Sequence, residues 1–154
     1  MVAKEKVFVR EATSRDADGL IKVLSATRLD GEAWEDKEAF VAGNLQTALQ
    51  NGGLIVLVAE CNSSIVGFVD CAVFPSFWEC QKQGLIADFF VHPSYQGNGV
   101  GSRLLQALIK KADEQHLVEL HVSTEPANVK ARRLYTKFGF SEERLILERS
   151  EETT

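Results

Sequence analysis

Three alternating glycines, Gly97, Gly99 and Gly101, lie in the stretch Val91-His92-Pro93-Ser94-Tyr95-Gln96-Gly97-Asn98-Gly99-Val100-Gly101-Ser102. They follow an apolar run. They also open a segment with apolar residues at positions 100, 104, 105, 108 and 109, the spacing of one helix face. Without side chains, their amides can crowd around an anion, and a helix N-terminus adds partial positive charge. A phosphate or pyrophosphate is the natural ligand. A Walker loop needs Lys immediately before the Ser, whereas Arg103 follows Ser102 here. A dinucleotide fingerprint needs a third glycine, but the count from Gly97 ends on Ser102 and that from Gly99 on Leu104. The alternative to phosphate binding is a loop that merely turns the chain.

A second motif follows: Asn128-x-x-Ala131-x-x-Leu134-Tyr135-x-x-Phe138-Gly139-Phe140. Its Ala131, Leu134, Tyr135 and Phe138 share one helical face. Gln96-x-x-Gly99-x-Gly101, preceded by Val91-x-Pro93, resembles the acetyl-CoA pyrophosphate loop of the GNAT superfamily of N-acetyltransferases, and the second motif stands at the distance that family leads one to expect. The resemblance covers most of the chain and is weaker before Leu54. It implies that the backbone of Phe89, Phe90 and Val91 pairs with the pantetheine arm of acetyl-CoA. It further implies that amides from Gly97, Asn98, Gly99, Val100, Gly101 and Ser102 hold the pyrophosphate beside Gln96. Asn128 and Ala131 would contact the cosubstrate, although Asn128 suits a helix cap equally well. Arg103, Arg132 and Lys137 could meet nucleotide phosphates or be solvated surface charge.

The implied chemistry is direct attack by a neutral amine on the acetyl carbonyl, with oxyanion stabilisation by amides near Phe90 and Val91. Tyr135 would protonate the departing thiolate; the plainer account makes it a core tyrosine whose phenol needs a partner. The segment Ala87-Asp88-Phe89-Phe90-Val91 is similar to the Glu-Asp-Phe-Phe-Val of the spermidine/spermine and thialysine branch, with Ala87 where that branch has its glutamate. This weakens a polyamine assignment and leaves the base open. Asp88 is the nearest carboxylate, but strand alternation turns it away from the face of residue 87 unless a bulge intervenes. Glu79, His121, Glu125 and a water chain are the other options. On the acceptor side, Asp30, Glu32 and Trp34 sit in an acidic stretch that could attract a cationic amine. Phe77 and Trp78 either cover the site or close the end of the sheet.

These residues need elements to position them. The expected order is β α α β β β α β α β: strands at 7–11, 54–60, 65–74, 85–92, 117–123 and 144–148, and helices from residue 14, over 36–50, from 100, and over 128–138. A Cys61-Asn62-Ser63-Ser64 turn joins the second and third strands, and 75–83 is read as a long connection. The fold class is α/β (α+β): a GNAT-like, mixed and mostly antiparallel sheet flanked by about four helices, with splayed central strands. With 154 residues of which 45% are apolar, one domain spanning 1–154 is expected and disorder is excluded. The net charge of −5 argues against non-specific nucleic-acid binding. Three cysteines without metal spacing argue against a metal or a disulfide framework. Neither a membrane span nor a signal-peptide core is found, so a cytoplasmic setting is the expectation. The resemblance adds a homodimer. The function reads as acetyl transfer from acetyl-CoA to a primary amine of a small cationic molecule. The alternatives are a protein or peptide N-acetyltransferase, and an inactive acyl-CoA-binding module.

Overall fold

The computed structural model describes residues 5–27 and 35–151. The chain divides into two compact units, one ending at Val122 and the other beginning at Ser123.

The first unit is a five-stranded sheet in the order β1-β2-β3-β4-β5. Its strands are β1 (Val7–Glu11), β2 (Leu54–Cys61), β3 (Ser64–Ser76), β4 (Gln81–Val91) and β5 (Leu120–Val122), and its helices are α1 (Ala17–Thr27), α2 (Glu35–Asn51) and α3 (Val100–Glu114). The first four strands run antiparallel, and β5 joins β4 in parallel. The β2–β3 hairpin turns at Asn62 and Ser63, both with positive φ (49° and 64°), the backbone that two-residue hairpin loops favour.

Period-two alternation sends the residues of each strand to opposite faces. On one face, Val56, Val58 and Phe68 meet Leu20 and Val23 of α1 and Leu45 of α2. On the other, Val100, Leu104 and Leu108 of α3 are buried. Gly67 lets α3 come close: a Cβ there would lie 3.2 Å from Leu104 Cδ1 and 3.0 Å from the Phe90 carbonyl oxygen. Burying each of these aliphatic side chains stabilises the fold by roughly 1.5–3 kcal/mol. Before α1, the buried Asp16 carboxylate accepts both Arg10 Nη groups (2.8 and 2.9 Å) and the Thr13 amide (2.7 Å), tying the helix start to β1.

Three expectations are corrected. The connection after β3 is only four residues, 77–80, because β3 runs to Ser76 and β4 starts at Gln81. Pro75 is no breaker here: it pairs with Lys82 beyond Ala72, the last β3 residue matched to β2, where its missing N–H disturbs no second ladder. The fifth strand is shorter than 117–123. No strand forms at 144–148: Leu145 and Leu147 alternate as a strand would, yet both are over 90% exposed.

The second unit contains α4 (Val129–Lys137). Asn128 caps it by accepting the Ala131 amide at 3.2 Å. Its C-terminus closes with Phe140 N–H donating to the Tyr135 carbonyl.

Candidate active site

The glycine loop joins a short 3-10 turn (Pro93–Tyr95) after β4 to the first turn of α3. Gly97 and Gly99 have φ of 79° and 80°, in the left-handed region that glycine occupies without penalty. Gly99 is the N-cap of α3, and no side chain caps the helix start. The first-turn amides therefore have neither an intrahelical acceptor nor a capping side chain. Gln96 Nε2 donates to the Val91 carbonyl (3.1 Å), and Asn98 Nδ2 approaches the carbonyls of Tyr95 and Gln96. Both amide side chains thus brace the loop backbone. Arg103 turns away, donating to the Val7 carbonyl at 2.8 Å, so it stitches α3 to β1. A helix N-terminus without a side-chain cap carries the partial positive charge that favours an anion.

β4 meets β5 only at Gly84, Leu85 and Ile86, and this ladder ends with Ile86 opposite Val122 while β4 continues to Val91. From residue 87 on, β4 therefore runs past the end of β5, a few residues before the glycine loop. At the same point β4 carries a bulge. Cys71 pairs with Ile86 and Val69 with Phe89, so Asp70 of β3 faces two β4 residues, Ala87 and Asp88. At this bulge the Asp88 amide donates to Asp70 Oδ1 at 3.1 Å, and the Asp88 carboxyl contacts that of Asp70. Burial, then the Asp88 charge and carboxyl contact, raise Asp70 to about 7, against the pull of the Asp88 and Ala87 amides. Asp70 also lines a cleft of about 360 Å3 between α1, α2 and the sheet, whose other lining side chains include Leu20, Asn44, Thr47 and Val56. Sequence reasoning missed Asp70. The available signal was a single acid inside the apolar run Ile65-Val66-Gly67-Phe68-Val69-Asp70-Cys71-Ala72-Val73-Phe74.

The remaining candidates are spread out. His121 on β5 has its Nε2 3.3 Å from Gln83 Oε1 and 3.2 Å from Glu119. Trp78 is 92% exposed at the β3–β4 turn with Phe77 and Glu79 beside it. Seven residues separate the start of β4 from Asp88, roughly 23 Å of strand, so Trp78 is not gathered with the two carboxylates. Asp30, Glu32 and Trp34 lie outside the described residues. Among the described residues, no group of three or more His, Cys, Asp or Glu could hold a metal ion. In the second unit, Tyr135 is buried against the Phe140 ring (centroids 5.6 Å apart), and burial raises its phenol above the usual value. The phenol therefore carries its proton at neutral pH. Arg132, Arg133 and Lys137 line a basic hollow along α4, although Arg132 is already paired with Glu143.

Comparison with known proteins agrees with this geometry. The Acetyltransferase (GNAT) family matches residues 19–140. An uncharacterized N-acetyltransferase of Bacillus subtilis (strain 168), YhfO, is 29% identical over 140 residues, covering 88% of this chain and 90% of that one. A spermine/spermidine N(1)-acetyltransferase of the same strain is 39% identical over 84 residues, 49% of this chain and 52% of that one. A crystal structure described as a transcriptional regulator from Bacillus halodurans C-125 superposes with a TM-score of 0.83 at 22% identity, covering 95% of this chain and all of that one. The chain belongs to the GNAT family and is an N-acetyltransferase of that class.

Proposed function

We propose that residues 1–154 act as a single acetyl-CoA-dependent domain that transfers acetyl to a primary amine of a small cationic molecule. The observation that carries this reading is the combination of an uncapped α3 N-terminus behind two left-handed glycines with a β4 that outruns its β5 partner. The amides of residues 97–102 hold the pyrophosphate, with Gln96 and Asn98 bracing the loop. The β4 backbone from Phe89 to Val91 lies alongside the pantetheine arm, and amides near Phe90 and Val91 face the developing oxyanion. Asn128 contributes by fixing the start of α4, where Ala131 sits.

Tyr135 serves as the acid for the departing thiolate. Its raised pKa keeps the proton available until sulfur charge develops. A cationic acceptor is supported by the two carboxylates at the β4 bulge and by the acidic stretch that holds Asp30, Glu32 and Trp34. The spermine/spermidine relative points the same way. Trp78 contributes by bounding the acceptor side only if the acceptor extends toward the hairpin tip. A homodimer in a cytoplasmic setting completes the reading; no helix among the described residues is long and apolar enough to cross a membrane.

The test is acetyl-CoA-dependent thiol release across polyamines, amino acids, aminoglycosides and short peptides. Turnover on one amine class, with kcat lowered about 10²-fold or more in Tyr135→Phe and CoA affinity unchanged, supports the assignment. Turnover on peptides alone favours the protein-acetylating alternative. CoA binding without acetylation of any amine favours the binding-module alternative and overturns this reading.

A further inference from the structure

We infer that Asp70, held at the β4 bulge beside Asp88 and opening onto the cleft under α1 and α2, is the catalytic base that takes the proton of the acceptor amine. This rests on the acetyl-transfer reading above and adds a residue to it.

Three geometric facts carry it. Asp70 is the only titratable side chain among the described residues lining that cleft. It sits opposite Ala87 and Asp88, where β4 runs on past the end of β5, so the cleft and the strand edge assigned to the thioester meet at its carboxylate. Its orientation is set by the backbone of the bulge: the Asp88 amide donates to Oδ1 at 3.1 Å, the Ala87 amide also donates to the carboxylate, and the Asp88 carboxyl lies against it. Ala87, the neighbour on the bulge, adds no bulk beyond a methyl group.

The surroundings suit a base that works near neutrality. Facing Asp70, β4 presents Asp88, β2 presents Leu54 and Val56, α1 presents Leu20, and α2 presents uncharged side chains. Cys71, its chain neighbour, is buried and its thiol is raised to about 11, so it stays neutral. An ordinary carboxylate is too weak a base to deprotonate an ammonium, whereas burial and one neighbouring carboxylate lift this one toward working pH. The balance is simple. The acceptor enters as an ammonium and gives one proton to Asp70. Its lone pair forms the N–C bond, the C–S bond breaks, and the thiolate is protonated as the nitrogen sheds a second proton. Asp70 returns its proton to solvent. The products are the amide, the thiol and one proton.

The experiment is kcat/KM against pH for the best amine of the panel, in wild type, Asp70→Asn, Asp70→Glu and Asp88→Asn. The wild type is expected to show an acid limb near pH 7 that does not follow the pKa of the amine when the acceptor is changed. Asp70→Asn keeps an oxygen for the Asp88 amide and is expected to lose about 10²–10⁴-fold in kcat, with the KM for acetyl-CoA little changed. Asp70→Glu is expected to recover part of that loss. Asp88→Asn removes the neighbouring charge and is expected to move the limb to lower pH. Retention of kcat in Asp70→Asn within about threefold, or a limb that tracks the amine, overturns the inference while leaving acetyl transfer intact. Should Asp70→Asn not fold, an unmoved limb in Asp88→Asn overturns it. A wild type that acetylates no amine overturns both readings together.

Discussion

Gly99→Ala and Gly43→Ala add the same methyl group to two open positions, since beyond the adjoining residues and the helix's own backbone no atom lies within 4 Å of a Cβ at either. Sterics against neighbours therefore cancel, and the backbone alone decides the sign. Gly43 lies within α2, an ordinary helical site where alanine is better than glycine by roughly 0.5–1 kcal/mol. Gly99 has φ of 80°, and an L-residue there carries a left-handed penalty of roughly 1–2 kcal/mol, offset by about 0.4–1 kcal/mol from a less flexible unfolded chain. The net is a destabilisation of about 1 kcal/mol for Gly99→Ala, so the two variants should differ by about 1.5–2 kcal/mol. Urea denaturation measures this directly, because both variants should keep the wild-type m value. Calorimetric titration with CoA supplies the functional half. If Gly99→Ala relieves strain by moving the loop, the amides lose their aim and affinity should fall about tenfold, the equivalent of 1.4 kcal/mol. Gly43→Ala should bind CoA as the wild type does. Gly99→Asn, which tolerates the left-handed region, should recover most of both losses. Equal stability of Gly99→Ala and Gly43→Ala would refute the argument from φ. Unchanged CoA affinity in a destabilised Gly99→Ala would refute the assignment of this loop to the pyrophosphate.

Two further outcomes follow from the packing around α1. Gly19→Ala should destabilise despite its helical position, by about 1–3 kcal/mol in urea, because the new Cβ would lie 2.8 Å from Ile65 Cβ, a stiff branched side chain. Asp16→Asn should lower stability at pH 7 by about 1.5–3 kcal/mol, since it removes a charge-assisted pair with Arg10. The Arg10 bond holds the folded Asp16 pKa below its unfolded value. The contribution is therefore complete above about pH 4 and is lost as pH falls through the folded pKa. The gap between wild type and variant should narrow in denaturation curves taken below pH 4; a constant gap would count against the ion pair as its source.

Much of this architecture was legible in the chain because its signals are local. The three glycines, the 100-104-105-108 stripe and the Asn62-Ser63 turn each depend on residues within a few positions of one another, and each forms where the pattern places it. Asn128 shows the limit of such reading. Cap and cosubstrate contact were equally compatible with the sequence, and the bond to the Ala131 amide is what shows it capping α4. The stretch at 144–148 shows the opposite failure: a sound alternating pattern that forms no strand, since a strand needs a neighbour that its own residues cannot specify.

By itself, then, the sequence determined most of the element types, the glycine loop that opens α3 and the membership in an acetyltransferase family, all of which follow from short-range pattern and glycine stereochemistry. The tertiary structure alone decided what stands beside Asp88 on β4. Asp70 and Asp88 are 18 positions apart and meet because β3 and β4 pair antiparallel with Val69 opposite Phe89, and no local pattern encodes that register. The same hairpin leaves Trp78 in its turn, between Ser76 and Gln81, away from both carboxylates. A bulge reverses every alternation argument beyond it, so the placement of these carboxylates is a property of the paired strands, not of either one.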